Sequence, residues 1–72
     1  MHLLDLIKTI KDRRETLKLS QENLAEISGV GLRTLKHLEG GKGNPTIKTL
    51  EKLADVLGME LKLEIRKNKL LK

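Results

Sequence analysis

Three side chains that can donate hydrogen bonds, Arg33, Lys36 and His37, lie close together in a segment whose leucines repeat at helical spacing. If Leu35 and Leu38 mark the buried side of a helix, at about 100° per residue, all three project from the opposite side. An arginine fork matches the O6 and N7 acceptors of guanine, and lysine and histidine can donate to bases or phosphates. The pattern predicts a helix that contacts DNA if the neighbouring elements hold this side of it out to the duplex. A solvated helix face that binds nothing is the alternative.

Other chemistry has little support in the sequence. The chain has no cysteine, and its two histidines, His2 and His37, are too far apart to form a local metal-binding motif. No nucleophile is paired with a base, no carboxylates cluster, and the glycine-rich segment 40–43 lacks the spacing of a phosphate-binding loop. The sequence predicts no enzyme activity, no metal site and no cofactor.

Length and composition restrict the choice of partner. The 72 residues suffice for one small domain, and the net charge of +5 favours an acidic partner such as nucleic acid. The absence of aromatic residues removes the base stacking on which single-strand binders depend, so double-stranded DNA is favoured. No apolar run approaches the roughly 20 residues of a membrane helix, and the N-terminus lacks the features of a signal peptide. We expect a cytoplasmic protein with no membrane partner.

Apolar spacing predicts a mainly α-helical domain of four to five helices. The first helix covers about 14–16 residues, and its apolar stripe is formed by Leu3, Leu6, Ile7, Ile10 and Leu17. Ser20 is the expected N-cap of the second helix, because its oxygen can accept a backbone N–H, and Gly29 is its expected end. The predicted inward side of the second helix consists of Leu24, Ala25 and Ile27.

A third and a fourth helix follow. The third begins after Gly31, and the glycine-rich loop 40–45 separates it from the fourth. Thr46 is the expected N-cap of the fourth helix and Gly58 its end. The predicted buried stripe of the fourth helix consists of Ile47, Leu50, Leu53, Ala54 and Leu57.

The second and third helices have the spacing of a helix-turn-helix. A small residue at Ala25 permits a close crossing, Gly29 permits a sharp turn, and Leu35 and Leu38 anchor the helix that follows. This arrangement holds the third helix out for the major groove of DNA. The side chain of Gln21 and the free N–H groups at the start of the second helix suit a phosphate.

The segment LSQENLAEISGVGLRTLKHLEGGKGNPTIKTLEKLADVLG resembles the XRE family of helix-turn-helix regulators, which includes the lambdoid phage repressors. The resemblance covers residues 8–58 and implies a DNA-binding domain over residues 1–58. This chain departs from the family pattern at Lys18, where glycine is usual, and at Gly31, where a serine or threonine cap is common. We expect Lys18 to adopt a positive φ and the third helix to begin without a side-chain cap.

The resemblance also implies roles for individual residues. The base-contacting positions are Leu32, Arg33 and His37, with Lys36 adjacent to either a base or a phosphate. The phosphate-contacting positions are Gln21, Thr34 and Lys42. Arg14 and Glu39 match an ion pair that joins the first and third helices in phage repressors. The alternatives are a core-filling role for Leu32, a plain surface histidine at His37, and two independent surface charges at Arg14 and Glu39.

The apolar period changes to two after Gly58, as in a β-strand. The apolar members of this alternation are Met59, Leu61, Leu63 and Ile65, and the charged members are Glu60, Lys62, Glu64 and Arg66. A single strand leaves its backbone unpaired, so the pattern predicts that residues 59–66 pair antiparallel with a second copy. Residues 59–72 would then form a dimerisation strand and a basic tail. A disordered tail or a continued helix is the alternative.

The charged residues favour one register for this strand pair. A two-fold axis through Leu63 places Glu60 opposite Arg66 and Lys62 opposite Glu64. Neighbouring registers place like charges opposite each other, which destabilises a strand pair.

The segment LADVLGMELKLEIRK most resembles the HipB-like antitoxins, small dimeric repressors that pair with a HipA-like kinase toxin. The predicted function is a dimeric repressor that binds a near-palindromic operator in double-stranded DNA, and that acts as the antitoxin and autorepressor of a toxin–antitoxin pair. The alternatives are a small protein-binding module, a phage-type repressor and a restriction–modification controller. Controllers close their dimer with helices, and the alternation argues against that.

Overall fold

The computed structural model describes residues 2–63, which contain four helices and no strand. The helices are α1 (Leu3–Thr16), α2 (Gln21–Ser28), α3 (Leu32–Glu39) and α4 (Ile47–Val56). The second helix packs against α3 and α4, and α1 packs against α3. The prediction of a mainly helical fold is confirmed. None of these four helices is long and apolar enough to cross a membrane.

The core between the helices is entirely aliphatic. Its buried members are Ile7, Ile10, Leu24, Ala25, Val30, Leu35, Leu38, Leu50, Leu53 and Leu57. Leu35 and Leu38 hold one side of α3 in this core, as their spacing predicts. The opposite side of α3 is therefore left for solvent or a ligand.

Two helices begin at the side-chain caps expected from the sequence. Ser20 Oγ accepts the backbone N–H of Asn23 at 2.9 Å, and Thr46 Oγ1 accepts that of Thr49 at 3.1 Å. At the start of α3, Gly31 offers no side-chain cap, as expected for glycine at this position. Side-chain caps thus mark where α2 and α4 begin, whereas α3 begins without one.

The helices end at residues with positive φ. Gly29 has a φ of 78° after α2 and Gly58 has a φ of 69° after α4, both as predicted. After α1 the same conformation falls on Lys18, with a φ of 58°, which is the one non-glycine residue with positive φ among residues 2–63. Lys18 and Leu19 donate backbone hydrogen bonds to Glu15 and Arg14, closing the helix end in the pattern usually made with glycine.

The assignment of Ile27 and Ile47 to the core is wrong. Ile27 is 62% exposed and Ile47 is 67% exposed. The buried stripe of α2 is completed by the half-buried polar residues Gln21 and Ser28, and Ile27 lies about 110° away from that stripe. Ile47 is the first residue of α4 and lies about 70° from the centre of its buried side.

Two leucines of the predicted α1 stripe also lie largely outside the core. Leu3 is 42% exposed and Leu17 is 41% exposed. Leu3 is the first residue of α1 and Leu17 directly follows its last residue, so they flank the buried middle of the helix. Ile7 and Ile10 in the middle of α1 are buried as predicted.

The segment after α4 keeps the predicted alternation of burial over residues 59–62 and loses it at Leu63, which is fully exposed. Met59 and Leu61 pack against the core, while Glu60 and Lys62 are exposed. Residues 59–63 form neither helix nor strand, so a continued helix is not present there. The remaining residues of the predicted strand, Glu64, Ile65 and Arg66, lie outside the described residues.

Candidate nucleic-acid interface

The outward side of α3 presents the side chains predicted to contact DNA together. Arg33, Lys36 and His37 are all exposed, and Lys36 and His37 follow Arg33 by three and four residues, so both flank it on one helical face. Thr34 is exposed beside them. An eight-residue helix with one side anchored in a core and donor groups on the other has the form that fits a DNA major groove.

Leu32 lies at the edge of this face. Its side chain is half-buried and packs against the core cluster. Leu32 therefore makes the core contact that the sequence left open as an alternative to a base contact. The exposed remainder of the side chain faces solvent, where a thymine methyl group could meet it.

A buried ion pair fixes the end of α3 to α1. Arg14 donates from Nε to Glu39 Oε2 at 2.7 Å and from Nη2 to Glu39 Oε1 at 2.9 Å. The Arg14 side chain is 11% exposed and that of Glu39 only 3%. The two charges are therefore joined by a two-pronged contact away from bulk water, which is the strong form of this interaction.

The same arginine also holds the loop between α1 and α2. Its Nη1 donates to the carbonyl of Leu19 at 2.7 Å. The hydrogen bonds to Glu39 raise the pKa of the Arg14 guanidinium, against the lowering effect of its burial, so the positive charge is retained. One guanidinium thus connects α1, α3 and the start of the helix-turn-helix.

Gln21 joins this network, a contact that the sequence pattern did not predict. Its Nε2 donates to Glu39 Oε1 at 3.0 Å, so the side chain predicted to contact phosphate already contacts the end of α3. The amide nitrogen carries two hydrogens, and the second is left for another acceptor. A signal was present, because Gln21 lies on the inward stripe with Leu24 and Ala25.

Lys42 is attached closely to α3. Gly41, with a φ of 76°, donates its N–H to the carbonyl of Leu38, and Lys42 donates its N–H to that of His37 at 2.9 Å. The exposed Lys42 therefore follows directly on the last turn of α3. A cation placed there can accompany α3 onto a DNA backbone.

No metal-binding cluster of histidine, aspartate or glutamate occurs among residues 2–63. The chemistry available on the described surface of α3 is hydrogen-bond donation by cations and a hydroxyl.

The two crossed helices, the left-handed glycine between them and the exposed cationic side of α3 define a helix-turn-helix DNA-binding domain. The helix-turn-helix family model matches residues 10–63. The chain belongs to the XRE family of helix-turn-helix transcriptional regulators and is a DNA-binding regulator.

Curated relatives agree with this assignment. The chain is 38% identical over 58 residues to an uncharacterized HTH-type transcriptional regulator of Haemophilus influenzae. The matched segment covers 81% of this chain and 59% of that protein. It is 39% identical over 51 residues to a regulator with the same description from Methanothermobacter thermautotrophicus, covering 71% of this chain and 74% of the relative. A third relative, from Archaeoglobus fulgidus, is 38% identical over 52 residues, and the match covers 72% of this chain and 73% of that relative. The chain thus spans about three-fifths of the first relative and nearly three-quarters of the other two.

Proposed function

We propose that this regulator is a dimeric repressor that recognises a near-palindromic operator by inserting α3 into the major groove. The observation that carries the proposal is the exposed face of Arg33, Lys36 and His37 on a helix whose other side is anchored by Leu35 and Leu38. Because the backbone of α3 is held by the core and by Glu39, these side chains meet DNA from a fixed position.

Arg33 is the principal base reader in this proposal. Its guanidinium can donate two hydrogen bonds to a guanine, and it lies near the start of α3, where recognition helices approach base edges. His37 follows one turn later and contacts a second base. Leu32 contributes an apolar contact at the edge, and Lys36 contacts a base or a phosphate.

Phosphate contacts hold the helix in register on the duplex. Lys42 supplies a cation just beyond α3, and Thr34 supplies an exposed hydroxyl. Gln21 contributes through the amide hydrogen that Glu39 does not use, together with the backbone N–H groups at the start of α2. A phosphate contact at Gln21 would join the DNA backbone to the network that holds α3.

Dimerisation is supported by the segment after α4. Met59 and Leu61 cover part of the core, whereas Leu63 is 103% exposed and has no cover within its own described chain. A second copy paired antiparallel about Leu63 would cover this leucine. In that register Glu60 faces the partner's Arg66, and Lys62 faces the partner's Glu64.

The alternation after Gly58 and the resemblance of residues 53–67 to HipB-like antitoxins support a role as antitoxin and autorepressor with a HipA-like kinase toxin. A kinase-like reading frame beside the gene would support this role. An isolated gene with no such neighbour would favour a phage-type repressor or a stand-alone regulator.

The experiment that tests the proposal starts by selecting duplexes from a random-sequence pool with the purified protein. We expect an inverted repeat with half-sites about one helical turn apart or a multiple of it. If the dimer neutralises about four phosphates, affinity should fall about 100-fold between 50 and 200 mM salt. A protein-binding module would enrich no sequence, and its weak DNA binding would show no preference for the selected duplex over a scrambled one.

A further inference from the structure

A second arginine of α1, Arg13, contacts the point at which the C-terminal segment leaves α4. Its Nε donates to the carbonyl of Leu57 at 2.9 Å, a contact between residues 44 positions apart. Its Nη2 lies beside Gly58, where an added Cβ would be 3.5 Å away. The guanidinium therefore lies across the carbonyl of Leu57, the C-cap of α4, and beside Gly58, where the chain turns.

A cation at this position stabilises the C-terminal end of α4. Helix C-termini carry a partial negative charge, and α4 has no basic residue in its own last turn. Gly58 and Met59 donate backbone hydrogen bonds to Asp55 and Ala54, and Arg13 supplies the cation from another helix. Hydrogen bonds therefore hold the backbone before Gly58, at Leu57, and after it, at Met59. Together they set the direction in which residues 59–63 leave the domain.

Arg13 is adjacent to Arg14, which holds the end of α3 through Glu39. One turn of α1 is therefore bonded to the recognition helix and to the base of the proposed dimerisation segment. We infer that Arg13 is a positioning residue that sets the separation of the two α3 helices in the dimer, and with it the operator spacing that the protein accepts. This inference rests on the proposed function.

A small rotation at Gly58, the residue beside Arg13, would change the distance between the two protomers by several ångströms. Five extended residues from Gly58 to Leu63 would span about 16 Å. A rotation of about 10° at Gly58 moves the far end by roughly 3 Å, and two-fold symmetry doubles this to about 6 Å between the protomers. The rise of one base pair is about 3.4 Å. A small loss of angular restraint at this junction therefore covers the change in the distance between half-sites that one added or removed base pair makes.

The test uses a duplex selected from a random pool by the wild-type protein, together with versions whose half-sites are one or two base pairs closer or farther apart, and a single half-site. Affinities are measured for the wild type, Arg13→Leu and Gly58→Ala. Lys11→Leu is the matched control, because it removes an exposed cation from the same helix. Gly58→Ala strains the same junction through its positive φ and carries the test if Arg13→Leu does not fold.

We expect the wild type and Lys11→Leu to prefer the selected spacing at least tenfold over its neighbours. Arg13→Leu should bind the single half-site within about twofold of the control but prefer the selected spacing less than threefold. If Arg13→Leu keeps the full spacing preference, the inference is wrong and Arg13 only caps α4. If the wild type sediments as a monomer or shows no spacing preference, the proposed dimeric function itself fails.

Discussion

Replacing Glu39 with alanine tests whether the recognition helix is held by a buried charge pair. The change removes two of the three hydrogen bonds of the Arg14 guanidinium and leaves that charge in a side chain only 11% exposed. Breaking one side of a buried ion pair costs about 3–5 kcal/mol. A domain of this size has a total stability of about 4–11 kcal/mol, so Glu39→Ala should unfold the chain at much lower denaturant concentration.

The pair itself is measured by a double-mutant cycle of Arg14→Ala, Glu39→Ala and the double variant. We expect a coupling free energy of about 2–3 kcal/mol, because the second substitution removes a charge that the first has already left without its partner. Urea unfolding followed by circular dichroism at 222 nm is the suitable assay, since the chain has no aromatic residue to report by fluorescence.

The chain contains its own control for this cycle. Lys8 and Asp12 form an ion pair on α1 with the same closest N–O distance of 2.7 Å, but their side chains are 74% and 55% exposed. A cycle at this exposed pair should give a far smaller coupling than the buried pair. If the two cycles gave the same coupling, or if the Arg14 and Glu39 substitutions were additive, the proposed role of burial would be refuted.

Further changes test the end of α1, the cap of α2, a phosphate contact and the strand pair. Lys18→Gly should raise the free energy of unfolding by about 1 kcal/mol by relieving a positive φ, whereas Lys18→Ala should not raise it. Ser20→Ala should lower it by about 1 kcal/mol through loss of the α2 cap. Lys42→Ala should weaken binding to selected and random duplexes equally and reduce the salt slope by about one per half-site. Truncation after Gly58 should give a monomer by sedimentation, and a truncated dimer would disprove the strand pair.

The helix ends were predictable because their signals are local. Ser20 and Thr46 each cap a backbone N–H three residues ahead, and Gly29 and Gly58 adopt the positive φ that glycine tolerates best. Lys18 was predictable only by comparison with a family pattern, because nothing in lysine itself favours this conformation. Local rules therefore fix both ends of α2 and of α4, whereas the end of α1 needed the family pattern.

Burial was less predictable, because hydrophobicity does not by itself say which side of a helix faces the core. Ile27 and Ile47 are apolar but lie off the buried stripes, while Gln21 lies on one. The stripe of α2 includes two polar residues because one of them, Gln21, finds its partner 18 residues away at Glu39. Only the folded arrangement brings those two side chains together.

The contact of Arg13 had no sequence signal. Its acceptor is a backbone carbonyl, that of Leu57, which any residue would supply. The predicted dimer is a different case. The alternation of residues 59–66 indicates a strand, and such a strand can pair only with a strand from a second copy of the chain.

The most direct test of the account compares the affinity of Arg33→Ala and wild type for a selected duplex and for a random duplex of equal length. Arg33→Ala should lose about 5- to 150-fold per half-site on the selected duplex and relax the preference at one base position. On the random duplex it should bind within about threefold of Lys11→Ala, which removes an exposed cation from outside α3. An equal loss on both duplexes, or no preference of the wild type for any duplex, would contradict base recognition by α3.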